Sequence, residues 1–152
     1  MSDKSIPSIN IRPCQGPIEY NQLVAIWRSA VDATHDFLLP ADRDEIESHL
    51  ASDYFPQVSL SVAEYGGEPV GFAGTAEGSL EMLFVHDRAR GRGVGTALLQ
   101  HVISRENVRT VDVNEQNPAA LGFYEHAGFS VVGRSDVDSA GKPYPLLHLK
   151  IN

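Results

Sequence analysis

Cysteine is nearly absent: Cys14 stands alone in 152 residues. It cannot form an internal disulfide, and the chain cannot supply the several thiolates of a zinc ribbon, so a reducing compartment is the expected home. The six histidines are scattered, with no His-x-x-x-His pair on a helical stretch, and no metal is expected. Lysine is scarce as well, limited to Lys4, Lys142 and Lys150, and 20 acids outweigh 12 bases to leave a formal charge of -8. That balance argues against nucleic acid as a partner. Apolar runs are short, far below the ~20 residues that a membrane span needs, and Met1 to Arg12 lacks the apolar stretch of a secretory leader. No membrane partner and a cytoplasmic address are therefore expected. No repeat and no Pro/Gly/Ser linker divides the chain, which reads as one domain over residues 1–152.

The charge is unevenly placed. Asp36, Asp42, Asp44, Glu45, Glu47 and Asp53 face only Arg43 in their stretch, a solvated helix face that would also suit a cation. Arg88, Arg90 and Arg92 interleave with glycines, and an anion belongs there.

Periodicity gives the elements. Ile9 and Ile11 alternate with polar residues in a strand over Ser8 to Arg12, which Pro13 interrupts. Leu23, Ile26, Trp27 and Ala30 form one stripe of a helix over Ile18 to Val31. A second helix over Ala41 to Tyr54 follows Pro40, with Ile46, Leu50 and Tyr54 at four-residue intervals, and the loop between the two holds His35. Val58, Leu60 and Val62, then Pro69 to Ala76, then Ser79 to Val85 read as an antiparallel meander with a turn at Gly66-Gly67. A helix over Val94 to Ser104, a strand over Thr110 to Asn114, a helix from Pro118 to Ala127 closed by Gly128, and strands over Ser130 to Ser135 and Leu146 to Ile151 complete a mixed α/β order.

The segment Phe84 to Thr96 carries the most chemistry. It runs from a strand through Gly91, Gly93 and Gly95 into a helix, so backbone N–H groups and a helix N-terminus can converge on a phosphate. A Walker loop needs Gly-Lys before Ser or Thr, and no lysine lies near. A dinucleotide fingerprint needs a third glycine where Thr96 or Leu98 stands. What remains is Arg90-x-x-Gly93-x-Gly95, which resembles the pyrophosphate signature of the GNAT family of N-acetyltransferases. Asn117-Pro118-Ala119-Ala120-Leu121-Gly122-Phe123-Tyr124-Glu125-His126-Ala127-Gly128-Phe129 resembles that family's second signature. Val31 to Leu38, Asp112 to Asn117 and Gly141 to Leu147 are similar to its YjaB-type bacterial subgroup.

The resemblance implies a GNAT fold: a mixed sheet of about seven strands with about four helices, in which strands 4 and 5 are parallel and splay around acetyl-CoA. It implies that Leu83, Phe84 and Val85 hold the pantetheine arm by their backbone. Amides of Arg90, Gly91, Arg92, Gly93, Val94, Gly95 and Thr96 would hold the pyrophosphate, with the Arg90 and Arg92 side chains free to neutralise phosphate. Asn117 would reach the pantetheine as well as cap its helix. The implied reaction is direct transfer of acetyl to a primary amine, a peptidyl-lysine or a small cation, with no acyl-enzyme.

Tyr124 is the candidate acid for the departing thiolate and is expected to face away from the core while Phe123 packs. The base stays open among Glu81, His35 and His86, with Glu81 expected on the acceptor side through its alternation with Leu80 and Met82. His35 and Tyr144 are candidates to line the acceptor pocket. Cys14 has no neighbour in sequence that would activate it. Monomer and homodimer are both open, as is an alternative role as a coenzyme A binding or sensing module without turnover.

Thermal unfolding with acetyl-CoA and desulfo-CoA, beside ATP and NADH, checks the glycine segment. A ligand at about a hundred times its Kd adds roughly 2.7 kcal/mol, a rise of several degrees in Tm. The CoA compounds alone should produce it.

Overall fold

A computed structural model describes residues 8–152, so what was read from residues 1–7 lies outside it. Seven strands and four α-helices follow one another as β1 (Ile9–Pro13), α1 (Tyr20–Thr34), α2 (Pro40–His49), β2 (Ser59–Tyr65), β3 (Glu68–Ala76), β4 (Ser79–Val85), α3 (Val94–Arg105), β5 (Thr110–Asn114), α4 (Pro118–His126), β6 (Phe129–Ser135) and β7 (Leu146–Ile151). They form one sheet in the order β1-β2-β3-β4-β5-β7-β6. Every pairing is antiparallel except that of β4 with β5. The predicted meander, the mixed order and the parallel central pair are all present. No helix among the described residues is long and apolar enough to cross a membrane.

Each face of the sheet buries its own core. On one face Val94, Leu98, Leu99 and Val102 of α3 meet Val111, Val113 and Leu149. On the other, Leu23, Ile26, Trp27 and Val31 of α1 meet Val62 and Phe72. The approach of α3 depends on Gly71, where a Cβ would sit 3.1 Å from the Phe84 carbonyl oxygen and 3.1 Å from Val94 Cγ1. Absence of a side chain there seats the start of α3 directly on β3 and β4.

Local differences from the expected elements have identifiable causes. β1 continues through Pro13, which an edge strand tolerates because it needs no ladder N–H on its open side. The helix expected from Ile18 begins instead as a 3-10 turn at Pro17–Glu19, leaves Ile18 87 % exposed and runs on to Thr34. The helix expected over Ala41 to Tyr54 stops being α-helical at His49 and widens into a π-turn over Leu50–Tyr54. The Phe55 N–H bonds the Leu50 carbonyl, and this i to i+5 closure lets Leu50 and Phe55, five residues apart, both enter the core. Tyr54, expected on that stripe, is 41 % exposed.

A buried ion cluster ties the first elements together. Glu19 is 4 % exposed and receives two bonds from the Arg12 guanidinium at 2.6 and 3.0 Å and one from the Gln15 N–H at 2.9 Å. Arg12 also donates to Glu64 on β2 at 2.8 Å. The Arg12 bonds hold the Glu19 carboxyl below its usual range. A depressed folded-state value makes this stability fully present above the unfolded carboxylate pKa and lost as pH falls through the lower, folded value. Arg12→Met leaves the buried carboxylate unpaired and should cost about 3–5 kcal/mol at pH 7. Acid neutralises the stranded group, so urea denaturation at pH 4 should show a much smaller difference between variant and parent.

Candidate active site

β4 and β5 pair only at Ser79 with Thr110 and Leu80 with Val111, then part. Beyond Leu80 the β5-facing edge of β4 has no strand partner, and its backbone polar groups are open to an extended ligand. Two contiguous cavities occupy the fork. One, of about 470 Å³, runs along Leu83, Phe84 and Val85 to Arg90 and reaches Asn117 and Tyr124. The other, of about 590 Å³, lies under α1 and α2 and is walled by Trp27, Phe37, Tyr54, Phe84 and Tyr144. His35, Glu81 and Asp112 line both.

The groove along β4 ends at the glycine turn. Gly91 and Gly93 take φ of +75° and +84°, a region that glycine enters without steric cost, and Gly93 caps the N-terminus of α3. Gly91, Arg92, Gly93, Val94, Gly95 and Thr96 do not line the groove itself; they carry the chain from its Arg90 end into α3. The expectation of free arginine side chains is corrected. Arg88 reaches Glu68 at 3.5 Å and Arg90 pairs with Asp87 at 3.0 Å. The Arg92 guanidinium stacks 5.3 Å from the Tyr65 ring centre and donates to the Tyr65 hydroxyl at 3.2 Å. Acidic residues thus partner Arg88 and Arg90, and a tyrosine partners Arg92.

Asn117 caps α4, its Oδ1 accepting the Ala120 N–H at 3.2 Å, and it also lines the groove. On α4 the expected burial of the aromatic pair is reversed. Tyr124 is the buried member, 7 % exposed, with its ring edge-on to Phe129 at 5.8 Å. Phe123 is half-buried, packed over Gly95 at the start of α3. The Tyr124 hydroxyl has no hydrogen-bond partner among the described residues, yet the residue lines the groove, so the one polar atom of a core side chain opens at the fork. Burial pushes its pKa well up, and the phenol stays protonated at neutral pH.

Glu81 sits at a β-bulge. Thr75 pairs with Leu80 and Gly74 with Met82, so Glu81 is the extra residue of β4. Leu80 and Met82 enter opposite cores, and the simple alternation used to orient Glu81 does not hold. The bulge directs Glu81 into the fork, and partial burial together with Asp112 raises its pKa.

His35 and His86 separate clearly. The Thr34 hydroxyl gives its only proton to the Ala30 carbonyl at 2.7 Å, so its 2.7 Å contact with His35 must be donation from Nδ1–H, leaving Nε2 as an acceptor. Burial lowers the His35 pKa and keeps the ring neutral. His86 lines neither cavity: its Nδ1 accepts the Arg88 N–H at 3.2 Å as a cap for the following 3-10 turn. The structure therefore does not bring His86 to the fork with Glu81 and His35. Cys14, its thiol pushed up by burial and pointed at the Gly16 carbonyl, is likewise removed from the site.

Most carboxylates of the acidic helix are neutralised within the chain. Arg28 pairs with Asp32, Asp44 and Glu47, and Arg43 with Asp32 and Asp44. Lys142 binds Asp42 at 2.8 Å and Glu45 at 3.1 Å, while Tyr144 donates to Asp42 and accepts from the Leu39 N–H at 3.2 Å. The hydroxyl of Tyr144 therefore straps the loop before β7 to α2, and its ring is what faces the acceptor cavity. Asp112 was not singled out as a site residue. The signal for it was its place between buried Val111 and Val113, opposite Glu81 once β4 and β5 are parallel.

The acetyltransferase (GNAT) domain family matches residues 37–143. A peptidyl-lysine N-acetyltransferase YjaB of Salmonella typhimurium is 48% identical over 93% of this chain and 97% of its own. The chain belongs to the GNAT family. Among solved structures, the apo form of YjaB from Escherichia coli superposes with a TM-score of 0.84 at 45% identity, covering 94% of this chain and 97% of that one. A PaiA N-acetyltransferase from Thermoplasma acidophilum, solved with coenzyme A, superposes at 0.73 with 16% identity over 95% and 99% of the two chains, a likeness of fold. The forked sheet is thus the GNAT fold, and the protein is an acetyl-CoA-dependent N-acetyltransferase acting on an amine.

Glu81 gives a stability test with a defined sign. A carboxyl whose folded pKa is raised costs stability above its unfolded value, and the cost disappears in acid. Glu81→Gln should raise Tm slightly at pH 7 and leave it unchanged near pH 3.5, as scanning calorimetry at the two pH values would show.

Proposed function

We propose that the acceptor is a peptidyl-lysine side chain, entering the aromatic-walled cavity and meeting the acetyl thioester at the fork of β4 and β5. The observation that carries this reading is the unpartnered Tyr124 hydroxyl, opening at the fork from an otherwise satisfied core. The names of the YjaB relatives support the acceptor class. The aromatic walls suit the alkyl stem of lysine, and the carboxylates at the fork suit its charged end.

In this reading the chain's residues divide the work as follows. The free edge of β4 at Leu83, Phe84 and Val85 binds the pantetheine arm as an added strand, Asn117 contacts it from the N-terminus of α4, and the amides from Arg90 to Thr96 hold the pyrophosphate. Glu81, with its raised pKa, takes the proton of the acceptor ammonium. Tyr124, kept protonated by burial, donates its phenolic proton to the departing thiolate. His35 presents its Nε2 lone pair at the same junction and Tyr144 its ring, both as acceptor-binding groups.

Tyr124→Phe removes the proton donor and little else. In steady-state acetylation of a lysine peptide it should lower kcat roughly a hundredfold or more, the usual scale of general acid catalysis, while acetyl-CoA affinity by calorimetry stays within about twofold. An unchanged kcat would remove Tyr124 from the mechanism.

A further inference from the structure

A second polar array crosses the sheet beside the fork. Asp112 on β5, His148 on β7 and Ser135 on β6 lie on three adjacent strands, and Asp112 is the register partner of His148. His148 Nδ1 is 2.7 Å from Asp112 Oδ1, and its Nε2 is 2.7 Å from Ser135 Oγ. A carboxylate only accepts, so in the neutral ring the proton is on Nδ1, Nε2 accepts, and Ser135 donates. The polarity of the chain is Ser135 to His148 to Asp112. The ring lies against Gly133, where a Cβ would come within 3.4 Å of its Cδ2, so the backbone of β6 leaves room for this orientation.

The same order of groups activates a serine nucleophile in hydrolases. Here Ser135 lines neither cavity, whereas Asp112 lines both. The array therefore serves its carboxylate end. Oδ1 of Asp112 is occupied by His148, and Oδ2 has no partner among the described residues. Of the nearby carboxylates, Asp42 is taken by Lys142 and Tyr144 and lines neither cavity, and Asp138, whose Oδ1 accepts the N–H groups of Ala140 and Lys142, lines the acceptor cavity but not the groove along β4. The Tyr124 hydroxyl, on a side chain more than nine-tenths buried and unpartnered, opens into the groove that Asp112 also lines.

We propose that Asp112 is the anchor for the acceptor ammonium, and that His148, held by Ser135, is a positioning residue that fixes Oδ1 so that Oδ2 faces the fork. This rests on the lysine-acceptor reading above. It places the cation opposite Glu81, one carboxylate holding the ammonium while the other takes its proton. It also separates the two ends of the acceptor site: the aromatic walls select the stem, and Asp112 selects the charge.

The test uses a peptide with one lysine, read in two ways. One is steady-state acetylation at saturating acetyl-CoA. The other is calorimetric binding of the same peptide to the protein saturated with coenzyme A, which needs no turnover. Asp112→Asn should weaken peptide affinity and raise the peptide KM by about tenfold to a hundredfold, the range for a hydrogen bond to a charged group, with coenzyme A affinity and Tm little changed. His148→Leu should reproduce part of that rise in KM with a smaller effect on kcat. His148→Asn, which keeps an N–H near the Nδ1 position, should restore most of it. Peptide affinity and KM unchanged in Asp112→Asn would overturn the anchor. A loss in His148→Leu that His148→Asn does not restore, or that is shared by coenzyme A affinity, would overturn the positioning role. Asp112-dependent binding of peptide without any transfer would keep this inference and remove the catalytic reading. Turnover indifferent to Asp112 would do the reverse, and a parent protein that neither binds nor acetylates the peptide would remove both.

Discussion

After Leu80 and Val111 the two parallel strands at the centre of the sheet have no further partner in each other, and both cavities of the candidate site open at that parting. An unpaired strand edge in the middle of a sheet is costly unless something satisfies its backbone groups. Here the cavity along β4 leaves them accessible, and in the proposed reading an extended ligand completes the sheet in place of a strand. The parting is stabilised from both faces. α3 sits on β3 and β4 by way of Gly71, and α1 covers the other face through Trp27 and its neighbours, so β4 is packed on both faces beside the parting.

Charge follows the same economy. The molecule is strongly acidic, yet most of its carboxylates near the site are matched to arginines, to Lys142 or to backbone N–H groups. Exposed pairs of this kind add little stability singly, but they cancel the diffuse negative field of α2. What remains near the fork is local: Glu81 at its bulge and Asp112 beside His148, each of which lines both cavities. In the proposed reading, discrimination among amines depends on these two placed groups rather than on the net charge of the chain. The arginines of the glycine turn are likewise partnered, so the proposed hold on phosphate rests on backbone amides and the start of α3, which need no side chain to be free.

Much of this was readable from residue pattern. Alternation located all seven strands, the stripes of α1 and α3 located their buried faces, and Pro118 with Gly128 bracketed α4 almost to the residue. The turn from Arg90 to Thr96 and the segment around Asn117 and Tyr124 were legible because backbone geometry dictates residue type there: glycine where φ is positive, an asparagine where N–H groups need a cap. Periodicity failed where one inserted residue changes which face a side chain takes. The bulge at Glu81 and the π-turn after His49 are both of that kind, and neither leaves a mark in a hydropathy pattern.

By itself, then, the sequence determined the order of the strands and α-helices, the glycine turn that leads into α3, and the family, because each depends on neighbours within about a dozen residues. Only the tertiary structure decided which of Phe123 and Tyr124 is buried, that the arginines and the acidic helix are paired, and that Ser135, His148 and Asp112 form one hydrogen-bonded line. Those depend on strands that are adjacent in the sheet but distant along the chain, with β7 inserted between β5 and β6. Hydrogen bonding acts over about 3 Å whatever the separation in sequence, and the sheet order alone brings such residues within that reach.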